Sequence, residues 1–140
     1  MTTHFQSTDL YGELPAPGYY PGTISSARWR NSESGHRMLQ LLYAMRTVTP
    51  AYGCVAEYFV LEAATERGAA MARRRLAEVY RACGLDPQPG DSISPTQLVG
   101  SRLLLRLEHD EYRGQPRLRV VGHRRPEPEP ELEPERNVEG

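Results

Sequence analysis

The spacing of apolar residues changes period twice along the chain. From 39 to 45, Leu39, Leu41, Tyr43 and Met45 alternate with Gln40, Leu42 and Ala44, the period of two that marks a half-buried strand. Cys54 to Leu61 repeats the pattern, with Val55, Phe59 and Leu61 on one face and Ala56, Tyr58 and Val60 on the other. From Ala63 onward the period becomes helical, because Ala69, Ala72, Leu76, Val79 or Tyr80, and Cys83 recur every three to four residues. Thr65 is placed to cap the helix, Gly84 to end it, and Pro87 and Pro89 to prevent its continuation, so the spacing predicts a helix over roughly 65–83. Period two then returns at Arg102–His109 and at Pro116–Gly122, on either side of a hairpin loop at 110–114.

Ahead of Leu39, the segment Tyr19–Arg30 directs Tyr20, Gly22, Ile24 and Ser26 to one side. Its small residues Gly22, Ser25, Ser26 and Ala27 suit a bent or closely approached strand. Asn31–Gly35 and Thr49–Gly53 are runs of turn residues, and Pro95–Val99 adds a short turn before the fourth strand. The order is β-β-β-α-β-β, an antiparallel meander followed by a helix and a hairpin. A five-stranded OB-fold barrel has this order, with its single helix between strands three and four, and holds oligonucleotides or oligosaccharides on strands 2–3 and the 1–2 and 4–5 loops. The expected class is therefore all-β with one helix, an OB-fold domain over 17–123 between an N-terminal arm at 1–16 and a tail at 124–140.

With 140 residues the chain has room for one core of ordinary size. Its apolar runs, such as Leu103-Leu104-Leu105, are far shorter than the roughly 20 residues of a membrane span. Neither a basic n-region nor an apolar h-region opens the sequence, so a soluble, cytoplasmic protein without a membrane role is expected. Cys54 and Cys83 lack disulfide or metal-ligand spacing and are expected as reduced, buried thiols. No metal or cofactor is expected.

Charge separates the chain into two parts. The net charge is −1, yet residues 126–140 carry six Glu against one Arg, which leaves +4 on residues 1–125. All 17 basic residues are Arg, a planar, forked cation suited to phosphate and to stacking on rings. The tail alternates Pro with Glu from Pro126 to Glu131 and has too few apolar side chains for a core, so it is expected to be extended and disordered.

Sequence-tolerant binding of a single strand needs cations along the phosphates and flat side chains under the bases, each stacked base contributing about 1–3 kcal/mol. Both kinds of residue are interleaved here. Arg28, Trp29 and Arg30 fall at the end of strand one, with Trp29 expected in the first loop between two Arg, and Arg37 begins the next strand. Arg46 and Tyr58 lie on the face of strands two and three opposite the core, with Tyr52 in the loop between them. Tyr112 and Arg113 occupy the 4–5 hairpin, while Arg106, Arg117 and Arg119 alternate with inward Leu and Val. The helix arginines, including Arg73, Arg74 and Arg75, read as a solvated face away from the ligand side. The four histidines lack the neighbours that make a nucleophile and base, and no Walker-type or Gly-x-Gly-x-x-Gly loop is present, so an enzyme is not expected.

Four stretches resemble a family of phage- and prophage-encoded OB-fold proteins similar to single-stranded-DNA-binding proteins. They are Leu14-Pro15-Ala16-Pro17-Gly18-Tyr19-Tyr20, Ser34-Gly35-His36-Arg37-Met38-Leu39-Gln40-Leu41, Leu98-Val99-Gly100 with Leu103-Leu104-Leu105, and Asp110-Glu111-Tyr112-Arg113-Gly114. The resemblance implies a single-stranded-DNA-binding protein supporting phage-type replication or recombination, in a bacterial cell or phage-infected host. The alternative is a protein-interaction module that binds no nucleic acid and recruits a recombinase or replication protein; the acidic tail is read either as a solubilising end or as a polyanion that competes for the basic groove and docks such a partner. An exposed edge of strand one or four offers a route to a homo-oligomer.

Overall fold

The structure is a computed structural model, and it describes residues 3–5, 14–45, 53–62 and 65–126. Five strands form one antiparallel sheet: β1 (Gly18–Asn31), β2 (Arg37–Met45), β3 (Cys54–Val60), β4 (Arg102–Tyr112) and β5 (Gln115–Arg124). The spatial order is β3-β2-β1-β4-β5. Helix α1 (Glu66–Ala82) follows β3, and a 3-10 turn at Pro95–Leu98 precedes β4. The order of elements expected from the periodicities is therefore present.

Local chemistry accounts for the helix ends. The Thr65 hydroxyl accepts from the Gly68 amide at 3.1 Å. At the other end the Gly84 amide donates to the Arg81 carbonyl and the Leu85 amide to the Tyr80 carbonyl, with Gly84 at φ +86°. That is a Schellman ending, which glycine adopts without the Cβ penalty. Leu85 then packs against the core.

One face of the sheet supplies the core. Ile24, Leu39, Leu41, Tyr43, Phe59, Leu103, Leu105 and Leu107 are all essentially buried, and Leu76 and Val79 of α1 pack against them. Gly22 sits where β1 crosses over Leu105, and a Cβ there would lie 2.8 Å from Leu105 Cδ1. The close approach expected of the small residues in strand one is realised at this position.

Two irregularities redirect side chains. In β1 the register shifts between Ile24 and Ser26, leaving Ser25 as an extra residue, its hydroxyl bonded to the Leu42 carbonyl at 3.2 Å. Tyr20, Gly22 and Ile24 face inward as expected, but Ser26 pairs with Leu42 and faces outward instead. In β5 the partners of Arg106 and Leu107 are Gly122 and Val120, so Val121 is extra and His123 turns inward opposite Leu105.

Other boundaries differ from the expectation. The hairpin loop expected at 110–114 contracts to Arg113-Gly114, both with positive φ (52° and 76°), because the strands pair up to Tyr112 and Gln115. Two such residues match the right-handed strand twist of a tight hairpin. Cys54, expected buried, is exposed because it pairs with exposed Ala44 on the outer face, and Cys83 is half-buried; both are free thiols. Among the described residues no helix is long and apolar enough to cross a membrane. The tail from 127 to 140 lies outside the described residues.

Candidate nucleic-acid interface

The sheet's outer strands, β3 and β5, are not joined by a backbone ladder among the described residues. Side chains bridge them instead. His123 of β5 holds Glu57 of β3 through Nε2 at 2.7 Å and Glu78 of α1 through Nδ1 at 2.6 Å. The Tyr43 hydroxyl donates to the same Glu57 oxygen at 2.7 Å, and Arg75 Nη1 donates to the other at 2.9 Å. Glu57 is only 6 % exposed, and a carboxylate so buried persists only with partners of this kind.

With a carboxylate at each nitrogen, both imidazole nitrogens have an acceptor to donate to, an arrangement that favours the cationic form of His123. Burial pushes its pKa down, but the hydrogen bonds and charges of Glu57 and Glu78 outweigh burial and raise it above the usual histidine value. Burial, with the charge of Glu57 behind it, raises the Tyr43 phenol well above its ordinary range, so it stays a donor.

Above this seam the outer face carries the residues singled out from the sequence. Tyr58 pairs with Gln40 across β2, and the Gln40 amide donates to the Tyr58 hydroxyl at 3.2 Å while Arg30 donates to Gln40 Oε1 at 3.1 Å. Arg30, Gln40 and Tyr58 thus form a row across three strands. The β4–β5 hairpin adjoins its end, so that Arg30, Met38, Tyr58, Tyr112 and Arg117, with Glu33 of the first loop, line one open hollow of about 530 Å3. Tyr112 is half exposed and has the guanidinium groups of Arg113 and Arg117 over its ring at 5.1 and 4.9 Å, with Arg117 also paired to Asp110 at 3.1 Å. Arg28 faces outward opposite Gln40, beside the row.

The remaining expected residues lie elsewhere. Trp29 stands within β1 rather than in a loop; it pairs with Leu39 and so points to the core side, away from Arg28 and Arg30. Its cationic partner is Arg37, 4.2 Å from the ring centre, and the two line a shallow hollow with Arg30 and Glu62 at the end of the hairpin. Arg106 pairs with Glu108 at 3.3 Å on the part of the outer face opposite Tyr19 and Gly122. Arg119 is exposed and lines a second hollow along the seam. Arg46 and Tyr52 lie outside the described residues.

Neither Glu57 nor His123 is among the site residues expected from the sequence, where His123 is only one of four histidines without catalytic neighbours. Glu57 had a signal, since it falls between Val55 and Phe59 on the inward face of an alternating strand. His123 had none, because strict alternation from Leu118 and Val120 turns it outward. Neither a family model nor a curated protein matches the chain.

Proposed function

We propose that the sheet curls into an OB-fold barrel whose outer face binds single-stranded DNA without strong sequence preference, in support of phage-type replication or recombination. Two observations support the barrel: the strand order β3-β2-β1-β4-β5 and the Glu57–His123 bond that ties the two outer strands together. The binding reading rests on one arrangement above all. Two half-exposed tyrosines, Tyr58 and Tyr112, and two outward arginines, Arg30 and Arg117, come from separate strands and hairpins to line a single open hollow. Rings that a base can stack on, with guanidinium groups beside them for the phosphates, are what sequence-tolerant binding requires. On this reading the chain is a binder rather than an enzyme.

The test is a titration with oligo-dT, followed through Trp29 fluorescence or anisotropy of a labelled strand, at two salt concentrations. Binding that weakens as salt rises is expected, because each neutralised phosphate releases counterions. Tyr58→Ala and Tyr112→Ala should each lower affinity about 5- to 150-fold, the equivalent of about 1–3 kcal/mol per stacked base. Arg74→Gln, an exposed site on α1, should leave affinity as it is. Absence of salt-dependent binding by the unaltered chain would remove the reading.

A further inference from the structure

The hollow around Tyr58 does not stop there. A second one, about 410 Å3, lies along the β3–β5 seam and shares Tyr58 and Arg117 with the first, so the two hollows, together the trough, adjoin at those side chains. Its walls are residues 56–58 of β3 and 117–121 of β5, and Arg75 reaches into it from α1. Arg75 is thus set apart from Arg73, which is paired with Glu66 at 2.7 Å along the helix.

The Arg75 fork is oriented by the fold. Nη1 donates to Glu57 at 2.9 Å, Nη2 donates to the Tyr58 carbonyl at 3.1 Å, and the group lies 4.7 Å over the Phe59 ring. A guanidinium has five N–H donors, so these two bonds leave three, on a side chain that is 47 % exposed. Glu57 presents little charge to the trough, because it is buried and its two oxygens already accept from Tyr43, His123 and Arg75. Arg119, which lines the same hollow from β5, is exposed and makes no salt bridge among the described residues. A phosphodiester has two free oxygens that match a planar fork, and a cation already held in place loses less freedom on meeting it.

We infer that the strand path continues past Tyr58 into the seam, where Arg75 and Arg119 each hold a backbone phosphate, so that a helix residue belongs to the interface. This rests on the single-strand reading above and names a phosphate subsite within it. The experiment measures the dependence of oligo-dT affinity on salt for the full chain, for Arg75→Gln, for Arg119→Gln and for Arg74→Gln as the control. Loss of one phosphate contact should reduce the magnitude of the slope of log K against log salt by about 0.7 for a single strand. That reduction is expected for Arg119→Gln and Arg75→Gln and not for Arg74→Gln.

Arg75 also braces Glu57, so Arg75→Gln can lose its fold, which circular dichroism would show. Arg119 has no such duty and carries the test by itself. An unchanged slope for Arg119→Gln overturns the subsite whatever Arg75→Gln does. A wild-type slope for a folded Arg75→Gln likewise overturns it and leaves Arg75 as a brace of Glu57 only. If the unaltered chain binds and Tyr58→Ala weakens it while both slopes stand, the seam alone is wrong. If the unaltered chain does not bind oligo-dT, both proposals fall.

Discussion

His123 shows how one residue ties distant parts of the chain together. It lies on β5, yet its two nitrogens reach a carboxylate on β3 and another on α1, at 2.7 and 2.6 Å. Its raised pKa makes folding depend on pH with a definite sign. The native state holds the proton more tightly than the unfolded chain, so the contribution is complete below about 6.5, the ordinary histidine value, and is lost as pH rises through the raised native value. The urea midpoint should therefore fall between pH 6 and 8.5 in the unaltered chain, and His123→Gln should be less stable at pH 6 with a flatter profile. The Cys83 thiol and Tyr43 phenol are also raised by burial, from 9.0 and 10.0, and so lose their protons only above that window. Parallel profiles for the two proteins would show that the imidazolium does not hold the seam.

At the scale of elements, two single-residue bulges determine what the outer face displays. Ser25 is the extra residue in β1, and beyond it Arg28 and Arg30 turn outward while Trp29 turns toward the core side. Without it those three would exchange faces, since a one-residue shift inverts a strand. The same event at Val121 brings His123 to Glu57. Close contact between β1 and β4 depends on Gly22, over a Leu105 that is fully buried. Gly22→Ala should cost about 1–3 kcal/mol by forcing Leu105 from its place, measured as a loss of stability in urea. Gly22→Ala together with Leu105→Val should recover part of that loss. A neutral single variant would mean that the two strands slide apart without penalty.

For the whole molecule the near-zero net charge is a sum over a basic body and an acidic tail. Residues 1–125 carry +4, and residues 126–140 carry −5. On the proposed function, a tethered polyanion competes with DNA for the same guanidinium groups. A chain ending at Pro126 should accordingly bind oligo-dT more tightly than the full chain, and the difference should shrink as added salt screens the charges. Equal affinities at low salt would assign the tail to another partner. An interaction module without nucleic-acid binding would instead lose capture of a recombinase or replication protein on the same deletion.

Residues close in sequence were enough to determine the order of elements, the ends of α1 and the two faces of β2 and β3. Apolar period, the Thr65 cap and the Gly84 ending are local chemistry that no distant contact has to supply. The same alternation was enough to place Tyr58, Arg117 and Arg119 on the outer face. Only the tertiary structure decided that Trp29 faces away from its neighbouring arginines, that Glu57 is satisfied across the seam, and that Arg75 leaves the solvated helix face for the trough. These outcomes depend on an extra residue in one strand relative to its partner, and on which strands the helix lies across. Such relations hold between segments far apart in the chain, so neither composition nor spacing within one segment encodes them.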